Sequence, residues 1–292
     1  MMHFIKEKTL SGLLRICTYC GNYGRRVGVS LKYHHTRNRW PNLKYPKDLS
    51  ERVLSSMCEP TFLRYADLAD KVKVRDYIKS KGLEHILLEQ YKVWDTPDQI
   101  TNEEIDKLPE KFILKPNNGS GGHVYCRDKS KLDLEQAKLT LKSALVRAKG
   151  YFLEPHYLII EPKVYAEELL DLGEGRVLTD YKFHCIKGEI VDVFLAGENA
   201  NGERKYATVD LNWDVLPYTK ESYLLDPLPG KPLCLEEMKK YARILSKDFD
   251  FVRVDFYEYD GKVYFSELTF SPWGGYFYSY TDEALIEYGK RF

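Results

Sequence analysis

The sequence predicts an α+β protein whose helices and antiparallel β-hairpins form two subdomains with a cleft between them. Segments with helical spacing of apolar residues alternate with short β segments. Most of the β segments come in pairs joined by glycine-containing turns, which favours antiparallel sheets. With 292 residues, 43% of them hydrophobic, the chain is long enough to bury a sizeable core.

Five elements are predicted before residue 170 from apolar periodicity and turn residues. They are a helix over 66–81, a strand over 85–94, a hairpin with strands at 111–116 and 123–127, a helix over 132–148, and strand structure over 157–169. The hairpin turns in a glycine-rich loop at 117–122. We therefore expect this hairpin to have a flexible tip.

The second half of the chain contains two further predicted hairpins, separated by a long loop and a helix. The elements are strands at 181–186 and 190–196, a loop over 198–230 with one strand at 207–211, a helix over 236–248, and strands at 251–258 and 262–270. An Asp-Gly pair turns the last hairpin. Long loops inside compact domains are often functional, so the region 198–230 is a candidate functional loop.

Charge excludes some classes of partner and suggests others. The 44 basic and 44 acidic residues cancel, so nothing in the overall charge predicts nucleic-acid binding. Residues 1–47 nevertheless contain ten basic residues and one acid, Glu7, which predicts a basic N-terminal extension over 1–50 that favours acidic partners.

Cys17 and Cys20 form a CxxC pair, but no second pair completes a zinc site.

Targeting signals are missing from the sequence as it stands. No apolar run reaches the length needed to span a bilayer, and the first residues lack the apolar stretch of a signal peptide. We therefore expect a cytoplasmic protein without a transmembrane segment. No pattern predicts its oligomeric state.

The last hairpin contains the most informative local pattern, because it brings acidic residues onto neighbouring strands. Asp255 and Glu267 would lie side by side, and carboxylates hold Mg²⁺ against polyphosphate oxygens. Thr269 shares the face of Glu267, since alternate strand residues point the same way. A strict two-residue turn would pair Asp255 with Ser266 instead, so a metal site requires a longer loop or a bulge. The alternative is an ordinary hairpin with one buried and one solvated face.

The glycine-rich loop is a second candidate site. Lys115 at the end of its strand would place a positive charge on phosphate oxygens, and glycines let backbone amides close over them. The loop is not a Walker A motif, because no Gly-Lys-Ser/Thr opens a helix. Lys182 is a further candidate cation. The alternative is that Lys115 is a solvated lysine beside a mobile turn.

The histidines are scattered along the sequence and are predicted to be structural.

In this order, the patterns resemble the ATP-grasp superfamily, and more closely the TupA-like ATP-grasp proteins of surface-polysaccharide gene clusters. The resemblance covers roughly residues 30 to 290. The phrases that carry it are Pro46-Lys47 with Glu51, Asp70-Lys71 with Val74-Arg75-Asp76-Tyr77, Val93-Trp94-Asp95, Leu114-Lys115, Asn117 with Gly119-Ser120-Gly121, Ala166-Glu167-Glu168-Leu169, Asp180-Tyr181-Lys182-Phe183, the stretch 245–255, and Glu267-Leu268-Thr269.

The resemblance implies a cleft in which ATP lies under a lid. The ATP-grasp domain would span 51–292, with the lid at about 95–165 and a C-terminal metal and catalytic subdomain at about 166–292. Lys115 would contact the α- or β-phosphate, while Lys71 or Lys182 adds charge. The other implied nucleotide contacts are Asn117, Gly119, Ser120, Gly121, Glu167, Glu168 and Leu169, and the implied Mg²⁺ ligands are Asp255, Glu267 and Thr269.

Two positions depart from the patterns of similar proteins. Many ATP-grasp enzymes have asparagine where this chain has Thr269, so this ligand would be weaker or act through water. Close relatives have histidine where this chain has Asn118, so no proton transfer is assigned there.

The implied reaction is a carboxylate–amine ligation that uses ATP and Mg²⁺. A carboxylate would attack the γ-phosphate, and an amine would then displace phosphate from the acyl phosphate. Lys182 and Arg253 would act in catalysis, although Arg253 alternatively pairs with a neighbouring acid. The family context implies an acidic sugar and an amino acid or small amine as substrates, and aromatic residues at 273–280 either contact a sugar ring or belong to the core.

Two other functions remain open from the sequence. One is a kinase that uses the same ATP site with a hydroxyl acceptor. The other is a nucleotide-binding module without catalysis in a polysaccharide assembly complex. The presence of Lys115, Asp255 and Glu267 argues against the module.

Overall fold

The computed structural model describes residues 12, 14, 17, 21–148, 153–173, 178–198 and 202–292. Within these residues, nine strands form two antiparallel sheets, and helices pack against both of them. This arrangement confirms the α+β fold class. Cys20 and most of residues 1–20 lie outside the described residues, as does part of the predicted loop at 198–230.

The strands are β1 Gln90–Trp94, β2 Phe112–Pro116, β3 Val124–Cys126, β4 Val164–Glu168, β5 Asp180–Ile186, β6 Glu189–Glu198, β7 Arg204–Val209, β8 Phe251–Tyr259 and β9 Lys262–Thr269. The α-helices are α1 Gly21–Arg37, α2 Leu49–Met57, α3 Ala66–Ala69, α4 Val74–Ser80, α5 Asn102–Asp106, α6 Leu134–Ala148, α7 Pro155–Leu158, α8 Leu235–Ser246 and α9 Asp282–Gly289.

The smaller sheet has the strand order β1-β4-β2-β3 and carries its own apolar core. Helix α6 covers one face through Ala137 and Leu141, which pack with Phe112 and Leu114 of β2. The hairpin predicted around the glycine-rich loop is confirmed, because Leu114 pairs with Val124. The sheet and its helix hold the glycine-rich loop at one end of β2.

The larger sheet has the order β7-β6-β5-β8-β9 and forms part of the main core. Helix α8 packs on it through Met238, Ala242 and Leu245, which are fully buried. The two predicted hairpins β5-β6 and β8-β9 are both confirmed by their register. The central strands β5 and β8 therefore carry the candidate catalytic residues on a rigid support.

Helix α1 packs in the main core, although the sequence predicts that residues 1–50 form a basic extension. Val29 and Tyr33 are fully buried against the main core. Arg37 at its end donates hydrogen bonds to the backbone carbonyls of Tyr276, Phe277 and Tyr280. The described part of the basic segment thus supports the residues that follow β9.

The predicted helix over 66–81 is wrong as a single element. It is two short helices, α3 and α4, separated at Asp70, whose backbone is extended with ψ 114°. The Asp70 carboxylate accepts hydrogen bonds from the backbone amide of Val72 and from the side chain of Asn117. A short acidic side chain that bonds nearby backbone competes with helix formation.

Three other element boundaries also differ from the sequence prediction. The strand expected over 85–94 starts only at Gln90, after a 3₁₀ turn at Glu84–Ile86. The start of the strand structure expected over 157–169 is helical, because Pro155 begins helix α7. The strand expected at 207–211 is β7, which begins earlier at Arg204 and pairs with β6.

Candidate functional site

The register of the last hairpin brings the two candidate metal ligands together. Tyr259 pairs with Lys262 across a two-residue turn, so a regular ladder would place Asp255 opposite Ser266. A β-bulge between Phe256 and Asp255 instead pairs Asp255 with Glu267. The alternative with a bulge is therefore confirmed, and both carboxylates lie on the same face.

Arg253 connects these ligands. Its Nε and Nη2 donate to the two carboxylate oxygens of Asp255 at 2.7 and 2.6 Å. Nη2 also lies 2.9 Å from Glu267 Oε1 and 3.1 Å from Thr269 Oγ1. One guanidinium thus contacts all three predicted metal ligands, and the bidentate pair with Asp255 fixes its plane.

Two lysines add positive charge to the same cluster. Lys182 Nζ lies 2.7 Å from Asp255 Oδ2 and also contacts Asp180, which precedes it by two residues on β5. Lys71 Nζ lies 3.4 Å from Glu267 Oε2. Three cations therefore face three carboxylates, and we call these six residues the charge cluster: Lys71, Lys182, Arg253, Asp180, Asp255 and Glu267.

The protonation states in the cluster follow from burial and from the neighbouring charges. Burial acts to raise the pKa of Glu267, but Lys71, Arg253 and Lys182 outweigh it and lower that pKa. Burial raises the pKa of Asp180 despite its lysine neighbour. Burial acts to lower the pKa of Lys182, whereas Asp180 and Asp255 raise it overall. Lys182 and Glu267 are therefore charged at neutral pH.

The glycine-rich loop lies next to the cluster. Gly119, Gly121 and Gly122 have φ of 69°, 75° and 76°, a region that favours glycine, so the backbone turns without steric strain. The Gly119 carbonyl accepts a hydrogen bond of 2.8 Å from Lys71 Nζ. Gly119 and Ser120 border the same cavity as Arg253. The loop tip and the charge cluster are therefore adjacent.

Lys115 and Asn117 differ in what they can bind. Lys115 Nζ pairs with the carboxylate of Glu167 on the adjacent strand β4, and a phosphate oxygen can replace or join that partner. The Asn117 side chain is fully buried, donates to Asp70 and to the Glu161 carbonyl, and accepts from the amide of Lys163. We assign to Asn117 the positioning of the loop.

A cavity of about 380 Å³ lies beside Lys115, between the smaller sheet and β8. Its lining is largely apolar, with Leu88, Ile113, Leu169 and Tyr257 among the residues that form it. Glu168 lies at its edge. Apolar walls with a few polar groups suit a flat heterocycle such as adenine. Lys115 also borders a narrow cavity that Lys71, Glu167 and Ser266 line, which leads toward the charge cluster.

His123 lies at the candidate nucleotide cavity, although the sequence predicts a structural role for it. It lines the cavity of about 380 Å³, and burial followed by the charges of Lys115 and Lys71 lowers its pKa to about 4. The imidazole is therefore neutral at physiological pH. The position of His123 directly after the glycine-rich loop is the feature of the sequence that could have indicated its place in this cavity.

The residues of the charge cluster fit Mg²⁺. Within the described residues, no three His, Cys, Asp or Glu side chains form a complete metal site on their own. Mg²⁺ usually takes one or two protein carboxylates together with phosphates and water, which Asp255 and Glu267 can supply. Asp180 Oδ1 is buried and has no hydrogen-bond partner in the described part of the chain. The site therefore holds an unsatisfied carboxyl oxygen on a residue that shares Lys182 with Asp255.

Comparison with known proteins identifies one family. The family model described as TupA-like ATPgrasp matches residues 48–290. A search of curated proteins finds no match.

Several solved structures match this chain at low sequence identity, each with a TM-score below 0.5. The D-alanine–D-alanine ligase from Bacillus anthracis is 14% identical with a TM-score of 0.43, and the match covers 83% of this chain and 64% of that one. Carboxyaminoimidazole ribonucleotide synthase from Aspergillus clavatus, complexed with ATP, is 12% identical with a TM-score of 0.43, and the match covers 70% of this chain and 45% of that one. The ATP-grasp ligase PsnB, complexed with a precursor variant, Mg and ADP, is 11% identical with a TM-score of 0.42, and the match covers 78% of this chain and 59% of that one. The chain thus spans less than two thirds of each of these proteins.

Proposed function

The chain belongs to the TupA-like ATP-grasp family, and on that premise we propose that it uses Mg²⁺ and ATP to join a carboxylate to an amine. The observation that carries the proposal is the position of the charge cluster. Arg253 and Glu267 of the cluster border a polar cavity of about 410 Å³ together with Thr269. Lys71 of the cluster shares a narrow cavity with Lys115, which also lines the apolar cavity that suits adenine. ATP and an acceptor can therefore meet at the cluster.

Each group of residues has a distinct task in this proposal. The base and ribose occupy the apolar cavity beside Glu168 and Leu169, and the phosphates extend past Lys115 under Gly119, Ser120 and Gly121. Asp255, Glu267 and Thr269 would hold Mg²⁺, which would neutralise charge on the phosphates. Lys71 and Lys182 offset charge on the transferring phosphoryl group.

The reaction begins when the substrate carboxylate attacks the γ-phosphate, and it gives an acyl phosphate and ADP. Arg253 lies where it can donate to the acyl phosphate, because it borders the polar cavity and is held in plane by Asp255. The amine then attacks the acyl carbon and releases phosphate. The glycine-rich loop excludes water, which would otherwise hydrolyse the intermediate.

The substrate class follows from the family and from local charge. An acidic sugar of a bacterial surface polysaccharide would supply the carboxylate, and an amino acid or small amine would supply the nitrogen. Arg253 gives the polar cavity a positive group suited to an acidic substrate, and Trp273 gives it an aromatic ring suited to a sugar. Because the reaction consumes ATP, the cytoplasm is the proposed compartment. Within the described residues, no helix is long and apolar enough to cross a membrane.

The test is ADP and phosphate release from Mg²⁺-ATP with D-glucuronate or D-galacturonate, each with and without an amine. A ligase releases stoichiometric phosphate and forms product only when acid and amine are both present. Turnover with a hydroxyl acceptor alone would identify a kinase, and failure to bind ATP would remove the proposal. Glu267→Ala serves as the inactive control, and Glu236→Gln, on an exposed part of α8, as the matched active one.

A further inference from the structure

The polar cavity is lined by a basic and an acidic side chain that the proposed function does not use. Lys32 comes from α1, and Glu154 is the residue before α7. Tyr157, Ser271, Trp273 and Gly274 also line the cavity. The lining is therefore amphoteric, and its volume of about 410 Å³ is within the range of small-molecule sites.

The two carboxylate oxygens of Glu154 differ in their partners among the described residues. Ser271 Oγ donates to Oε1 at 2.6 Å, while Oε2 accepts no hydrogen bond from the described residues. Oε2 lies 3.6 Å from the position that a Cβ on Gly274 would take. Burial raises the pKa of Glu154 to about 7, although Ser271 and Lys32 act to lower it. A carboxylate with such a pKa exchanges protons readily near neutral pH.

Lys32 is also available to a ligand. Its Nζ lies 4.6 Å from the ring centroid of Tyr276, and in the described part of the chain it makes neither a hydrogen bond nor an ion pair. Burial lowers the pKa of Lys32, and Glu154 opposes that shift. A half-buried lysine that forms no ion pair favours an anionic ligand.

Helix α1 holds these groups in place but lies outside the part of the chain that the family model matches, which begins at residue 48. Arg37, five residues after Lys32 on the same helix, donates hydrogen bonds to the carbonyls of Tyr276, Phe277 and Tyr280. Tyr276 is the residue whose ring contacts Lys32. The cavity is therefore completed by a helix that belongs to this chain's own N-terminal segment.

Given the ligase function proposed above, we propose that Glu154 accepts the proton of the attacking amine and that Lys32 binds an anionic group of the same substrate. The amine nitrogen forms a bond to the acyl carbon, and the bond from that carbon to the phosphate oxygen breaks. Its electron pair leaves with phosphate, and the proton from nitrogen passes to Glu154 Oε2. The substrate class is an amine that also carries a carboxylate or another anion.

The experiment compares nucleophiles of different protonation state in the full-length protein with Mg²⁺-ATP and D-glucuronate or D-galacturonate. Glycine is protonated at neutral pH and needs a base, whereas hydroxylamine is largely unprotonated and does not. Glu154→Gln should lower kcat with glycine about 100-fold and leave hydroxamate formation near the wild-type rate. Hydroxamate formation also shows that the variant is folded and activates the acid.

Lys32 is tested with glycine and glycinamide, which differ in the carboxylate. Lys32→Ala should raise KM for glycine about tenfold, equivalent to the loss of about 1.4 kcal/mol, and leave KM for glycinamide unchanged. Lys32→Arg should restore most of the affinity for glycine. If Lys32→Ala changes both amines equally, the anion-binding role is wrong.

Each remaining outcome has one meaning. Equal losses with glycine and hydroxylamine in Glu154→Gln, or no loss with either, would overturn the proton-transfer role while the ligase function stands. No hydroxamate from the wild-type protein with either acid, despite ATP binding, would count against the ligase function itself. The two failures are therefore distinguishable.

Discussion

Glu267 lies directly opposite Asp255 because Ser266 is the extra residue of a β-bulge, although the hairpin closes in a two-residue turn. The two carboxylates nevertheless differ in environment. Asp255 is fully buried and accepts hydrogen bonds from both Arg253 and Lys182, whereas the Glu267 side chain is 28% exposed. Substitution should therefore separate a structural effect from a catalytic one.

Glu267→Gln should abolish most activity and leave the fold intact. Loss of one anionic ligand should lower kcat by about 100-fold or more and raise the Mg²⁺ concentration required for half-maximal rate. Asp255→Asn should in addition lower the free energy of unfolding by about 3 kcal/mol or more, because Arg253 stays buried with one partner fewer. ADP release over a Mg²⁺ titration and denaturant unfolding measure the two effects. Equal stability losses in both variants would contradict this distinction.

Lys115 should contribute to ATP affinity. It borders both the apolar cavity and the narrow cavity that leads to the charge cluster, so its ammonium lies on the path of the phosphates. Lys115→Ala also leaves the buried Glu167 carboxylate unpaired beside that path, which repels phosphate. KM for ATP should rise about tenfold or more. Lys111→Ala is the matched control, since Lys111 precedes the same strand but its side chain is 55% exposed and pairs with Asp171.

Much of the candidate site could be predicted from the sequence because local patterns bring its residues together. The turn, the alternation of side chains and the glycine-rich loop are encoded within a few neighbouring residues, and they led to Lys115, Asp255, Glu267 and Thr269. A two-residue turn and a pairing of Asp255 with Glu267 are compatible only if the hairpin contains a bulge. The sequence could therefore indicate that a bulge exists, but it could not locate it. Its position depends on how Phe256 and Phe265 pack in the core.

Other features depend on contacts between distant segments and could not be predicted. The break at Asp70 requires Asn117, which is 47 residues away. Lys32 and Glu154 face each other only after α1 packs on the main core. A basic helix with few acids has the composition of a solvated arm, and its buried Val29 and Tyr33 are too few to indicate otherwise.

The ionisation of Glu154 should destabilise the folded protein as the pH rises from 4.5 to about 7. Its ordinary pKa is 4.5, and burial raises the pKa to about 7 in the folded state. Between these values the folded protein holds a proton that the unfolded chain has released, so stability falls as pH rises through this window. Glu154→Gln has no such group and should gain up to about 3 kcal/mol of stability relative to wild type between pH 5 and pH 8.

Denaturant unfolding at the two pH values checks this gain. The depressed pKa of the neighbouring His156, which burial lowers to about 3, is present in both proteins and cancels from the difference. Glu161→Gln is the control, because Glu161 belongs to the same segment but its side chain is 72% exposed. A difference between wild type and Glu154→Gln that does not change with pH would show that Glu154 is not buried in solution as it is here.

Arg37 should be required for activity without contacting a substrate. Its side chain is only 2% exposed and donates to three backbone carbonyls in the segment after β9, the segment that also contains Trp273. Arg37→Ala leaves these carbonyls without their donor, so the free energy of unfolding should fall by about 3 kcal/mol. Arg26→Ala on the same helix should cost at most about 1 kcal/mol, because Arg26 and its partner Glu59 are both exposed.

The kinetic effect of Arg37→Ala should be confined to the polar cavity. Trp273 has φ of 50°, a left-handed conformation that a tryptophan adopts only when its surroundings hold it there. Loss of the Arg37 hydrogen bonds should release this strain and displace the ring from the cavity lining. Because the apolar cavity lies between the smaller sheet and β8, KM for ATP should stay near the wild-type value while kcat and the affinity for the acceptor fall. A parallel loss of ATP affinity would instead mean that α1 stabilises the whole molecule and has no particular effect on the acceptor side.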